Sequence, residues 1–171
     1  MNNLKYVILG VFLLLIQLLI SGYINIWPML YIAVFPLLVI TLPYTCNHIV
    51  SILTAFCFGL LVDILSDGVL GLNAAAIVAI AYFRPLLFKV AVSKTTLENT
   101  IEITQRTIGT TQFLLVTALS YAIFFTIYIA LDSWGYFSFI YTIARFLLNI
   151  IINTAVALLL WKSINSQMFR E

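Results

Sequence analysis

Five stretches of this chain, residues 6–21, 49–65, 70–90, 113–131 and 137–161, are apolar almost throughout, with no more than two charged side chains in any of them. A helix crossing a bilayer needs about 20 mostly apolar residues, because each residue rises about 1.5 Å through a hydrocarbon core of about 30 Å. The five stretches therefore read as membrane spans. Composition closes the alternatives: 64% of the residues are hydrophobic and 8% are charged, with a mean hydropathy of +1.15. That is too little polar material to coat a water-facing surface. A soluble enzyme, a disordered tail and a secreted disulfide scaffold are excluded. The expected fold class is all-α, a polytopic integral membrane helical bundle forming a single transmembrane domain over 1–171.

A sixth stretch, 29–42, is shorter. It opens after Pro28, contains Pro36 and stops at Pro43. An internal proline removes a helical hydrogen bond, so this stretch reads as a kinked span or as a re-entrant piece buried against its neighbours. Six transmembrane helices are expected, or five if 29–42 does not span. The first stretch imitates a signal peptide, with Lys5, an apolar run and the small residues Ser21 and Gly22. The runs that follow favour an uncleaved anchor.

Loop charges set an orientation, because basic residues gather on the cytoplasmic side. With six spans and a cytoplasmic N-terminus, Lys5, Lys89, Lys94, Arg106, Lys162 and Arg170 fall inside, and Arg84 falls at the inner end of the fourth span. The outer loops 22–28, 66–69 and 132–136 carry no Lys or Arg, only Asp67 and Asp132. Trp27, Trp134 and Tyr136 make an outer aromatic belt and Trp161 an inner one. The polar loop 91–111 then faces the cytoplasm. Its Thr95 and Glu98 fit a capping box, Leu97, Ile101 and Ile108 share one face, and Glu102 and Arg106 have the favourable i,i+4 spacing. It reads as a short amphipathic helix on the membrane surface, either a solvated connector or a docking surface.

Charged groups at membrane depth are expensive and ask for a reason. Arg145 begins a ladder with Asn149 and Asn153 at four-residue steps, with Tyr141 just above. Such steps stack polar groups on one helix face, which should point into the bundle. Two readings stay open: structural glue between helices, or a groove for a ligand or partner. Asp63, near the outer end of the third span, is the natural counter-ion for Arg145, with snorkelling of Arg145 to the headgroups as the alternative. Asp132, Asp67 and Asn73 sit on the same side and complete the candidate polar network.

Chemistry beyond this is sparse. A net charge of +2 gives no basis for nucleic-acid binding, and Cys46 and Cys57 form no CxxC. The single histidine, His48, has no accompanying nucleophile or ligand motif, so no catalytic residue, metal site or cofactor is expected.

The most specific local feature is the run from Phe58 to Ala74, FGLLVDILSDGVLGLNA. Gly59 permits close helix approach, Asp67-Gly68 is a turn signal, and the small residues from Gly71 to Ala76 open the next helix. The pattern FGLLxDxLSxGxLGLNA resembles the MreD family of rod shape-determining membrane proteins, carried here by Gly59, Asp63, Gly71, Asn73 and Ala74. The resemblance implies a fold like the six-helix substrate-binding components of energy-coupling-factor transporters, placed in the bacterial cytoplasmic (inner) membrane. It also implies a partner, the single-pass protein MreC, whose transmembrane helix would pack against the bundle. Through MreC the chain would connect to the filament protein MreB, the RodA glycosyltransferase and a class B penicillin-binding protein. The expectation is a non-catalytic scaffold of cell elongation and peptidoglycan synthesis. The alternative is a substrate-binding component of a small-molecule, vitamin-type transporter, with the Arg145 stripe as its site.

Overall fold

The computed structural model describes residues 3–23, 29–67, 69–98, 105–132 and 138–168. Among these residues, five helices are long and apolar enough to cross a membrane: α1 (Asn3–Tyr23), α3 (His48–Val62), α4 (Leu72–Ala91), α7 (Thr110–Asp132) and α8 (Phe139–Met168). Three shorter helices join them: α2 (Pro36–Thr41), α5 (Lys94–Glu98) and α6 (Gln105–Ile108). A long apolar helix covers each expected stretch except 29–42, and α8 runs seven residues past the expected end at 161.

Segment 29–42 is not a membrane-spanning helix. Residues 31–34 are extended, and only the six residues of α2 are helical. Pro36 does not kink a longer helix; it starts a short one, at a position where its missing N–H costs nothing. The segment still runs lengthwise beside α4. Tyr31 Oη donates to Asn73 Oδ1 at 3.1 Å beside the start of α4, whereas the carbonyls of Leu42 and Pro43 accept from Arg84, eleven residues further along α4. Eleven helical residues rise about 16 Å. Among the described residues the segment thus advances about half of a 30 Å hydrocarbon core alongside α4, by this extended-then-helical route.

That route is possible because the segment is the core. Every residue from Ala33 to Leu42 is buried, enclosed by α1, α3, α4 and α7 and hydrogen-bonded to α8. Irregular backbone at membrane depth survives only where protein, not lipid, surrounds it. Aromatic packing seals the half of the bundle around the start of α4, with Tyr31 stacked on Tyr128 at 4.6 Å and Phe35 edge-on to Phe124. At the other end Phe113 stacks on Trp161, which holds the start of α7 against the far part of α8.

α3 begins with Asn47, whose side chain accepts from the Ile49 amide, an ordinary N-cap. It ends in a π-helical turn, Asp63–Asp67. α3 then packs against α4 at Gly59, where an added Cβ would lie 2.5 Å from the Cα of Ala74. The two backbones touch there, as small residues at such a position allow. The Thr95/Glu98 capping box, Ile101, the Glu102/Arg106 pair, the Asp67-Gly68 turn, Trp27, Trp134, Tyr136 and Arg170 fall outside the described residues or side chains. Leu97 and Ile108 of the polar loop are both buried against the bundle.

Candidate functional site

The expected polar ladder exists, and its occupant is the chain itself. Asn149 Oδ1 accepts the Tyr31 amide at 2.8 Å while its Nδ2 donates to the Met29 carbonyl at 2.7 Å. One step on, Asn153 Oδ1 accepts the Ala33 amide at 2.7 Å and its Nδ2 donates to the Tyr31 carbonyl at 2.8 Å. Each side-chain amide thus does what a residue of a neighbouring parallel strand does, pairing one C=O and the N–H two residues later. The spacing explains itself: four helical residues rise about 6 Å, and two extended residues advance about 6.6 Å.

The opposite edge of the extended segment is served from α1. Gln17 Oε1 accepts the Val34 amide at 2.8 Å, and Gln17 Nε2 donates to the Ile32 carbonyl at 3.0 Å. Tyr121 Oη, buried in α7, donates to the Ala33 carbonyl at 2.7 Å. The second hydrogen of each asparagine Nδ2 goes to a carbonyl of its own helix, Arg145 for Asn149 and Asn149 for Asn153. The amide donors of Asn149 and Asn153 are therefore spent within the protein, and these two residues join the segment to α8. Sequence reading missed Gln17, Tyr31 and Tyr121. Gln17 had a signal, as the one amide in an otherwise apolar run.

Asp63 is not the counter-ion of Arg145. Fully buried, its Oδ2 accepts the amides of Gly71 and Ala74 at 2.9 and 3.1 Å, and its Oδ1 accepts the amide of Asn73 at 2.9 Å. These are donors of the first turn of α4, which no carbonyl of that helix can satisfy. The negative charge also sits at the positive end of the α4 dipole. A carboxylate so placed needs no cation. Gly71, which opens this turn, has φ +92°, a left-handed conformation that suits glycine. Asn73 then ties the hairpin to the extended segment through Tyr31.

Arg145 turns instead to Asp132, the last residue of α7, with Nη1 to Oδ2 at 2.6 Å. The physical reason is reach: Asp132 lies on the adjoining helix at the rim, and Arg145 extends up toward it, as a snorkelling side chain would. With the Asp132 side chain 35% exposed, water screens the pair, and it contributes modestly. Cys46 and Cys57 are free thiols, and His48 is exposed beside Tyr82. No protein-family model, curated protein or solved structure matches this chain.

Proposed function

We propose that the chain is a non-catalytic scaffold of the MreD type, which holds the transmembrane helix of an MreC-type partner in the bacterial cytoplasmic membrane. The observation that supports this is the hairpin. Gly59, Asp63, Gly71, Asn73 and Ala74, the residues that carry the family resemblance, meet at one contact where α3 and α4 touch and one carboxylate caps α4. They are the residues that a fold of this kind needs to keep. Commitment of Asn149 and Asn153 to backbone also removes the polar groups that a vitamin-type ligand would want, which favours a scaffold over a transporter component. In that reading both ends of the chain face the cytoplasm, since Lys5, Lys89, Lys94 and Lys162 gather at one end and the Asp132–Arg145 pair lies at the other.

A partner helix would be held by shape, because lipid is as apolar as the helix it replaces. The test is affinity purification of a tagged copy from its own host in mild detergent, with co-purifying proteins identified by mass spectrometry. Recovery of MreC with RodA or a class B penicillin-binding protein is the expected result. Recovery of ATPase subunits with an energy-coupling membrane protein would overturn the proposal.

A further inference from the structure

At the basic end of the bundle a buried arginine lines a cavity that has no acid among its described residues. Arg84 is 6% exposed. Its Nη2 donates to the carbonyls of Leu42 and Pro43, at the C-terminal end of α2, and its guanidinium lies 5.1 Å from the ring centre of Phe88. Its Nε has no hydrogen-bond partner. Asp63 and Asp132, the acidic residues whose side chains are described, both lie at the opposite end of the bundle. Arg84 lines a cavity of about 210 Å³ together with Tyr44, Cys46, His48 and Ser51. Ser51 is 1% exposed, and its Oγ is likewise without a partner. Two residues that line one space thus each hold a buried donor with no partner in the protein, and a buried donor left unmade costs free energy.

Beside this cavity, across Cys46, runs a groove of about 510 Å³ between α1 and α3 with α2 as its floor. Its walls are apolar: Val7, Gly10 and Val11 on one side, Val50 and Phe58 on the other, with Leu38 beneath. Val7, Val11 and Val50 are at least half exposed, so the groove opens laterally, where lipid chains lie. An apolar trough beside a cationic cavity has the chemistry of a phosphate-headed lipid. Guanidinium and hydroxyl donors suit phosphate oxygens, and the trough suits an acyl or prenyl chain.

We propose that this paired groove and cavity bind a membrane lipid with an anionic phosphate headgroup, its phosphate on Arg84 and Ser51 and its chain between α1 and α3. The proposal stands independently of the scaffold role.

The test uses the full chain, delipidated in a nonionic detergent, with thermal unfolding followed during titration with phosphatidic acid, with diacylglycerol of the same chains, or with inorganic phosphate. Phosphatidic acid should raise the melting temperature saturably, and the other two should not. An equal shift from diacylglycerol would mean that the tail alone binds, and an equal shift from inorganic phosphate would mean a free-anion site; either overturns the proposal. Val50→Trp, which fills the trough from an exposed position, should abolish the response. Ser51→Ala removes an unsatisfied buried hydroxyl, so the lipid-free protein should be at least as stable as the parent. Its lipid affinity should fall about tenfold, the loss of one hydrogen bond to a charged group. Unchanged lipid response in both variants would sink the idea, whether or not Arg84→Gln accumulates.

Discussion

Replacing Asp63 by alanine tests the central correction to the polar network. The substitution removes an acceptor from three amides at 2.9, 2.9 and 3.1 Å. Hydrogen bonds to a charged group contribute about 1.5–3 kcal/mol each, so the gross loss is about 4.5–9 kcal/mol. Burying the carboxylate itself cost several kcal/mol, which the variant recovers. The net expected loss is about 3–5 kcal/mol, similar to removing one partner of a buried ion pair. Asp63→Asn keeps one carbonyl oxygen for two of the amides but turns an NH₂ toward the third, and should cost about 1–2 kcal/mol, near a lost helix cap. Reversible unfolding in mixed micelles, titrated with denaturing detergent, measures both. The pairing with Arg145 is separated by a double-mutant cycle. If Asp63 serves α4 and not Arg145, the losses in Asp63→Ala and Arg145→Leu add, and the charge swap Asp63→Arg with Arg145→Asp rescues nothing. An Asp63→Ala variant within about 1 kcal/mol of the parent, or a rescued swap, would refute the reasoning.

Gly59→Ala should cost at least about 2 kcal/mol, read in the same unfolding assay. Because the clash is with the Cα of Ala74, adding Ala74→Gly should not relieve it. Asn153→Leu strands the amide of Ala33 and the carbonyl of Tyr31 and should cost about 2–4 kcal/mol. Steady-state accumulation in the membrane would register that loss. Asp132→Asn, at the exposed end of its pair, should cost less than about 1 kcal/mol, and a larger loss would mean that the rim pair matters more than its exposure allows.

The long helices were legible because length and apolarity alone determine a helix in lipid, where the backbone must satisfy itself. Gly59 was legible for a similar local reason, a small residue between two apolar helices. Segment 29–42 was not. An apolar run reads the same whether it will be a helix or a buried extended stretch, and what decides between them here is Gln17, Asn149 and Asn153. Two of those lie more than a hundred residues away in sequence. The ladder was visible as a stripe, yet its partner was backbone, which leaves no mark in a sequence. Asp63 misled for a related reason: its partners are amides, and amides have no charge to match.

The extended stretch is clamped between the first and the last of the long helices. During synthesis, residues 29–35 leave the ribosome well before Asn149 and Asn153 exist to receive them. Until α8 arrives, their amides and carbonyls lack the partners they will finally have, and in hydrocarbon each such group would cost several kcal/mol. This segment must therefore wait at a wet or protein-lined site, and only the arrival of α8 lets it settle. Closure of the core waits on α8, so a nascent chain stopped before residue 149 should still be open to water at its centre.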